Sequence, residues 1–178
     1  SDVCSSDLDG KEANRIVIEI AKAAKCKRAV KSKSMATEET HLNHALIDAG
    51  LDVLETDLGE YIVQLADTTP SHIILPIIHM TRGDIGQIVH EKISVPYTDD
   101  PEKLTKIARA KLREAFLSAD LGISGCNFGV IDTGTICLVS NEGNARLCTT
   151  LPRVHVAVMG IEKLVPSLAE LDRKSTRL

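Results

Sequence analysis

The sequence predicts an α/β fold, with a mixed, mainly parallel sheet and helices on both of its faces. Through the first two-thirds of the chain, apolar segments with the period of a helix alternate with short apolar strand segments, which is typical of βαβ units. After Asp120, short apolar segments follow one another with glycine-rich turns between them, which indicates partly antiparallel pairing. Hydrophobic residues make up 43% of the chain but aromatic residues only 2%, so the core must be aliphatic.

The first part of the chain contains five predicted elements. Ile16 and Ile20 share one face of the first helix, with charged residues opposite. Thr37 is the predicted N-cap of the second helix, and Glu38 and Glu39 suit the positive end of its dipole. In order, we predict a helix at 12–25, a strand at 28–32, a helix from Thr37 to Gly50, a strand at 51–55 and a helix from Asp57 to Leu65.

The middle of the chain contains one further strand and two helices. Residues 72–78 form a dense apolar run, predicted as a strand that ends at Pro76 or lies at an edge of the sheet. The helix at 81–92 is weakened by two glycines, each of which costs roughly 1 kcal/mol relative to alanine. The next helix is the best marked, because Asp100 can cap it and Pro101 occupies its first position. The late strands are predicted at 121–123, 128–131, 135–140 and 154–158.

Charge and cysteine usage exclude several classes of protein. A net charge of −4 argues against a nucleic-acid partner, and no apolar run approaches the roughly 18 residues of a membrane span. Apart from Cys4 the cysteines are scattered, without a C-x-x-C pair, so we expect no metal or cluster cofactor in this chain and a reducing, cytoplasmic location. His41 and His44 are one helical turn apart, but no third metal ligand accompanies them.

The two ends of the chain look like translated sequencing adapters. Residues 1–8 read SDVCSSDL and residues 172–178 read DRKSTRL. One set of codons for the first peptide, read on the opposite strand, encodes the second, and unrelated biological peptides seldom share such a relation. We therefore expect residues 9–171 to be a truncated native domain, and both tails to pack poorly against it.

Residues 125–152 (GCNFGVIDTGTICLVSNEGNARLCTTLP) hold the densest set of groups suited to ligand binding. Their glycines permit tight turns and close backbone approach, and Arg146 suits a carboxylate or phosphate. Asp132 and Glu142 are the candidate catalytic acids. The alternative is that DTG and NEGN are only hairpin turns, in which these residue types are common. The other candidate ligand-binding residues are Asn127, Thr133, Gly134, Thr135, Asn144, Thr149 and Thr150.

Within this segment we expect one anion site, at the Asp132 end. The predicted strand at 135–140 is roughly 20 Å long, so the turns at its two ends cannot share a small ligand. An antiparallel return of residues 146–150 along that strand would bring Thr149 and Thr150 towards Asp132. Glu142 and Arg146 would then form a local ion pair or contact a partner. The expected site consists of Asn127, Thr133, Thr135, Thr149 and Thr150, and residues 31–34 could join it.

A second candidate anion site is Lys31-Ser32-Lys33-Ser34, between the end of a predicted strand and the start of a helix. Backbone N–H groups at a helix start attract anions, and open α/β sheets usually bind ligands at the carboxyl ends of their strands. The alternative is a solvated basic turn.

Several segments resemble one known family. They are KSKSMATEE (31–39), ETDLGEY (55–61), PSHIIL (70–75), residues 127–152 and HVAVMGIEKLVP (155–166). In this order they resemble the LUD domain of lactate-utilisation iron–sulfur proteins, and the likeness covers essentially all of residues 9–171. It implies the superfold of glucosamine-6-phosphate deaminase, ribose-5-phosphate isomerase and CoA-transferase (NagB/RpiA/CoA transferase-like). Asp132 stands where the family more often has the longer glutamate, which would alter the reach of the acid in any acid–base role. Ala145 stands where glycine is common.

The resemblance also implies a function. The full-length protein would be an iron–sulfur subunit of an oxidoreductase that converts L-lactate to pyruvate with companion lactate-utilisation subunits. Its [4Fe–4S] clusters would be bound beyond residue 171. One alternative is a stand-alone CoA-transferase or sugar-phosphate isomerase, with Asp132 or Glu142 as nucleophile or general base. Another is a scaffold with no chemistry of its own.

Overall fold

The computed structural model describes residues 9–68 and 77–175, and these form the predicted α/β fold. The helices are α1 (Gly10–Ala23), α2 (Met35–Glu39), α3 (Leu42–Asp48), α4 (Leu58–Ala66), α5 (Arg82–Ile93), α6 (Pro101–Ser118), α7 (Asn144–Thr150) and α8 (Leu168–Ser175). The strands are β1 (Arg28–Lys31), β2 (Asp52–Glu55), β3 (Leu121–Ser124), β4 (Phe128–Val130), β5 (Thr135–Cys137), β6 (Val154–Ala157) and β7 (Leu164–Val165). A 3₁₀ turn, Ile161–Lys163, precedes β7.

The larger sheet is parallel throughout its four described strands, in the order β2-β1-β3-β6. Lys31 lies beside Glu55 in the β1–β2 pair, and Ile123 lies beside Val156 in the β3–β6 pair. The alternation of helices and strands therefore predicted the sheet correctly, since parallel neighbours need a crossover connection.

Helices cover both faces of this sheet because successive strand residues point to opposite sides. Ala29 contributes to a core shared with α1 and α3, in which Val17 and Leu46 are buried. The next residue, Val30, contributes to a second core with Phe116 of α6 and Cys148 of α7. The predicted double-sided packing is thus confirmed.

The smaller sheet has the strand order β5-β4-β7. β4 and β5 form an antiparallel hairpin, while β4 and β7 run parallel, so the predicted partly antiparallel pairing of the late strands is confirmed. Val130 and Val165 are paired and buried, and α8 packs against β4 and β7.

The helix predicted to begin at Thr37 is in fact two helices. Ser34 is the N-cap of α2, and Thr37 lies inside that helix. The chain then bends at His41, whose φ of 53° is left-handed, before α3 begins. The prediction was wrong because it took the cap from the local residue type. Thr37 instead faces inward and donates to the backbone oxygen of Ser34.

The antiparallel return predicted for residues 146–150 is also wrong, because this segment is helix α7. The predicted strand at 135–140 is shorter too, since β5 ends at Cys137. Gly143, at φ +82°, leads into the helix, and α7 packs closely on Gly122 of β3. A side chain at Gly122 would lie 1.8 Å from the backbone oxygen of Cys148. The tertiary contact with β3 therefore outweighs the strand preference of the two threonines in α7.

Some predictions fall outside the described residues. The strand at 72–78 lies mostly there, as do residues 1–8 and 176–178. The predicted domain end at residue 171 falls inside α8. The adapter origin of the two tails stays a prediction.

Candidate functional site

The carboxyl ends of β1, β2, β3 and β6 meet at one side of the parallel sheet, which we call the carboxyl edge. Open α/β sheets usually bind their ligands there. Most of the buried polar residues of the described chain lie at or beside this edge: Lys31, Ser32, Ser34, Thr37, Glu55, Thr56 and Ser124.

Lys31, the last residue of β1, is completely buried. Its Nζ lies 2.9 Å from Glu55 Oε1, 3.1 Å from Glu38 Oε1 and 3.0 Å from Thr37 Oγ1. Burial opposes the charged form of Lys31, but the carboxylates of Glu55 and Glu38 outweigh that effect, and its pKa is raised. An ammonium group has three N–H bonds, so every donor of Lys31 is used within the chain.

Glu55, the last residue of β2, is only 3% exposed. Its Oε1 accepts from Lys31 and, at 2.5 Å, from Asn43 Nδ2. The side-chain amide of Gln64 holds this end of β2 by accepting from Glu55 N and donating to Val53 O. Burial raises the pKa of Glu55, partly offset by Lys31 and Asn43. Two buried oxygens here, Glu55 Oε2 and Asn43 Oδ1, have no hydrogen-bond partner.

The predicted segment Lys31-Ser32-Lys33-Ser34 thus lies at the carboxyl edge, as its position in the sequence indicated. Ser32 continues the ladder by donating its N–H to Ile123 O, and Ser34 packs beside Gly125. Lys33 forms an ion pair with Glu60 of α4, at 3.2 Å. Both lysines are therefore paired with carboxylates of the chain itself. Anion binding by this segment stays a prediction, and Lys33, with 30% of its side chain exposed, is the more accessible cation of the two.

On the α7 side of the sheet, small polar groups occupy the core. Thr56 Oγ1 donates to Lys31 O and lies 3.7 Å from Cys148 Sγ. Burial raises the pKa of Cys148 to about 11, so its thiol stays protonated. Ser124 Oγ and His155 Nε2 share a hydrogen bond of 2.8 Å, and burial lowers the pKa of His155. A neutral imidazole beside a hydroxyl resembles a nucleophile and its base, but Ser124 is fully buried and this pair serves the packing of β3 on β6.

Sequence reasoning missed the carboxylate side of this cluster, Glu38 and Glu55, and the amide of Asn43. A signal was present, because the predicted strands at 28–32 and 51–55 carry opposite charges near their carboxyl ends. In the parallel register Lys31 lies directly beside Glu55.

The predicted site at residues 125–152 is divided between two places. Asp132, Thr133, Gly134 and Thr135 form the exposed turn of the β4–β5 hairpin, where Thr133 Oγ1 donates to Thr135 Oγ1. Asn127 lies at the opposite, open end of the hairpin and accepts from Val139 N. The three-residue strands separate these groups by roughly 10 Å.

The remaining predicted residues lie on or before α7. Thr149 and Thr150 both donate to the backbone oxygen of Arg146, inside the helix. Asn144 is the first residue of α7, and its side chain accepts from Ala145 N. Glu142 and Arg146 are exposed and form no ion pair with each other. The strand that was expected to bring Thr149 beside Asp132 does not exist, so these residues do not form one site as predicted. Their individual roles in ligand binding stay predictions.

Among the described residues no group of three or more histidine, cysteine or acidic side chains is placed to hold a metal ion. An iron–sulfur cluster needs thiolate ligands brought together. The described cysteines are free thiols, and burial raises the pKa of Cys26, Cys126 and Cys148. Cys126 instead donates its thiol hydrogen towards Phe128 O. These residues do not fit a cluster.

Comparison with known proteins gives consistent matches. The sequence profile of the LUD domain matches residues 8–177. An uncharacterized electron transport protein of Escherichia coli K12, YkgF, is 51% identical over 167 residues, which cover 94% of this chain and 35% of that protein. Lactate utilization protein B of Bacillus pumilus is 51% identical over 90% of the chain, and that of Bacillus thuringiensis 49% over 90%; each alignment covers 34% of the relative. No solved structure matches the chain significantly.

Proposed function

Since the chain belongs to the LUD-domain family, we propose that it is the LUD domain of a lactate-utilisation protein that transfers electrons during the oxidation of L-lactate to pyruvate. The observation that carries this proposal is the extent of the similarity, about half of all residues identical over 90% or more of the chain. The relatives' names, lactate utilization protein B and electron transport protein, favour this reading over a stand-alone CoA-transferase or sugar-phosphate isomerase.

The chain spans about a third of the length of the curated relatives it matches, so we assign it only part of the function of such a protein. The [4Fe–4S] clusters would belong to the remainder of a full-length protein, because the described cysteines do not fit one. Companion lactate-utilisation subunits would complete the oxidoreductase. We place it in the cytoplasm, and the unpaired thiols of the described cysteines support a reducing compartment. No described helix is both long and apolar enough to cross a bilayer.

The small anionic ligand is part of the same proposal, and we place it at the carboxyl edge rather than at the hairpin turn. Lys31 has no spare donor, but Lys33 keeps part of its side chain exposed and can exchange Glu60 for a ligand. The test is calorimetric titration of the full chain with L-lactate and with inorganic phosphate. Losing a hydrogen bond to a charged group costs about 1.5–3 kcal/mol, so Lys33→Gln should weaken binding by about tenfold or more. Lys103→Gln, on the exposed face of α6, is the control and should bind as the wild type. Equal affinity in the wild type, Lys33→Gln and Lys103→Gln would show that the ligand does not bind at this edge.

The function itself is tested by a chimera. In a lactate utilization protein B from Bacillus, the matched third is replaced by residues 9–171 of this chain, and growth on L-lactate is compared with that of a strain lacking the protein. We expect growth to be restored. The control re-inserts the relative's own segment through the same junctions, so that junction damage is recognised. A chimera that accumulates normally but gives no growth, beside a working control, contradicts the proposal.

A further inference from the structure

At the carboxyl edge, two residues that contact each other each carry a buried acceptor oxygen without a hydrogen-bond partner among the described residues. Glu55 Oε2 and Asn43 Oδ1 are both fully buried and both lack a hydrogen-bond partner. Their residues already touch, because Asn43 Nδ2 donates to Glu55 Oε1 at 2.5 Å. An unmet buried acceptor costs free energy, and two on one contacting pair point to a single missing donor that serves both.

The donor groups nearest to these oxygens already have other partners. All three N–H bonds of Lys31 go to Thr37, Glu38 and Glu55 Oε1. The Gln64 amide donates to Val53 O. An ionised carboxylate and an amide oxygen can only accept, so neither can serve the other while Glu55 carries a charge. A proton on Glu55 itself would supply the donor that both oxygens lack.

The charge count agrees with this. With Glu38 and Glu55 both ionised, the single positive charge of Lys31 faces two negative charges, one of them deeply buried. A deeply buried carboxylate that shares its one cation with a second carboxylate is costly, and protonation of the buried carboxyl group removes that cost. With Glu55 neutral, Lys31 and Glu38 balance each other, and Glu38 keeps part of its side chain in solvent.

We propose that Glu55 carries a proton at neutral pH and donates it to Asn43 Oδ1, forming a cyclic acid–amide pair. The pair has two hydrogen bonds, Nδ2–H to Oε1 and Oε2–H to Oδ1, and the proton comes from water as the chain folds. Both unmet oxygens are thereby satisfied. The effect of burial on the pKa of Glu55 acts in the same direction, against Lys31. The groups that face this carboxyl are Lys31 from β1, Glu38 from α2, Asn43 from α3 and the Cys148 thiol from α7. Gln64 of α4 accepts from the backbone N–H of Glu55.

The acid–amide pair makes the stability of the carboxyl edge depend on pH, and stability should decrease as the pH rises. The unfolded chain loses the proton of Glu55 near pH 4.5, its ordinary value, while the folded chain keeps it to a higher pH. The contribution of Glu55 to stability is therefore complete below that value and falls as the pH rises towards the folded pKa. Above the folded pKa, the ionised Glu55 repels Asn43 Oδ1 and loosens the junction of β2 with α3.

The experiment compares the full chain with Glu55→Gln, which replaces the acid by a neutral amide of the same shape. Glutamine can make the same two hydrogen bonds to Asn43, so we expect this variant to be at least as stable as the wild type at pH 7. Between pH 5 and pH 7 the unfolding constant of the wild type should rise relative to that of Glu55→Gln, by up to about tenfold per pH unit. Glu60→Gln, which removes the partner of Lys33, is the matched control and should leave this pH dependence in place.

A direct reading of the proton comes from ¹³C labelling of glutamate carboxyl carbons. The resonance that disappears in Glu55→Gln should have the chemical shift of a protonated acid at pH 7. A carboxylate shift at pH 7 overturns the proposal, and so does a Glu55→Gln variant that is less stable than the wild type with an unchanged pH dependence. A carboxylate shift with an ordered water bridging Glu55 and Asn43 in a crystal structure would identify water as the donor instead.

Discussion

Replacing Gly122 of β3 by alanine should loosen helix α7 and with it one side of the carboxyl edge. The added Cβ would lie 1.8 Å from Cys148 O and 2.9 Å from the carbonyl carbon of the same residue. Both are backbone atoms, so no side chain can rotate away, and α7 must move by roughly 1.5 Å to restore ordinary contact. Overpacking of this kind costs about 1–3 kcal/mol, and a backbone clash belongs at the upper end.

The assay is urea unfolding of Gly122→Ala beside a matched control, Gly83→Ala in the first turn of α5. An alanine at 83 meets nothing closer than Tyr97 OH at 3.7 Å, and alanine favours a helix by up to about 1 kcal/mol over glycine. We expect the first variant to be destabilised and the second to be unchanged or slightly more stable. Cys148, completely buried in the wild type, should also react faster with a thiol reagent in Gly122→Ala. A Gly122→Ala protein as stable as the wild type, with Cys148 still protected, would refute the packing of α7 on β3.

Three further outcomes are expected. Lys31→Met leaves the buried oxygens of Thr37 and Glu55 without their ammonium donor and should cost about 3 kcal/mol in urea unfolding, whereas wild-type stability would mean that Lys31 is not bound as described. Burial lowers the pKa of His155, so the folded chain resists a protonation that the unfolded chain accepts below about pH 6.5. Stability should therefore decrease as the pH falls below that value, and less steeply in His155→Gln than in the wild type. Thermal unfolding at several pH values measures both slopes, and equal slopes would contradict this prediction. Deleting residues 1–8 should leave the unfolding temperature unchanged if that tail is adapter-derived, and a large decrease would contradict that origin.

The elements that could be predicted are those marked by local signals. Helix α6 begins where Asp100 and Pro101 require it, with Asp100 accepting from Glu102 N. Helix α5 begins with a reciprocal cap between Thr81 and Asp84. Such signals act within one turn of helix, so they can be recognised without knowing what the element packs against.

The errors arose where a distant contact decides the local structure. Residues 144–150 form a helix because Gly122, in a strand more than twenty residues earlier, offers a surface without a side chain. Thr37 faces inward because Lys31 needs a buried acceptor. Neither requirement is visible in the neighbouring sequence.

The candidate site could be predicted only in part, for the same reason. The location of residues 31–34 at the carboxyl edge followed from the order of strands and helices. Their partners did not, because Glu38, Glu55 and Glu60 come from three different elements that only the fold brings to the two lysines. The positive charges of Lys31 and Lys33, which made this segment look basic in the sequence, are consequently paired with glutamate side chains in the structure.

The most direct test of the proposed function is the rate at which a purified lactate-oxidising complex containing the chimeric protein reduces an artificial electron acceptor with L-lactate. The complex would be isolated from the Bacillus host with its companion subunits, and cluster content would be measured to normalise the rate. We expect lactate-dependent reduction well above that of a complex prepared without the chimera, with pyruvate formed in proportion. A chimera that assembles with its partners and carries its clusters, yet gives only the background rate while the relative's own segment gives full activity, would contradict the assignment of this chain to lactate utilisation.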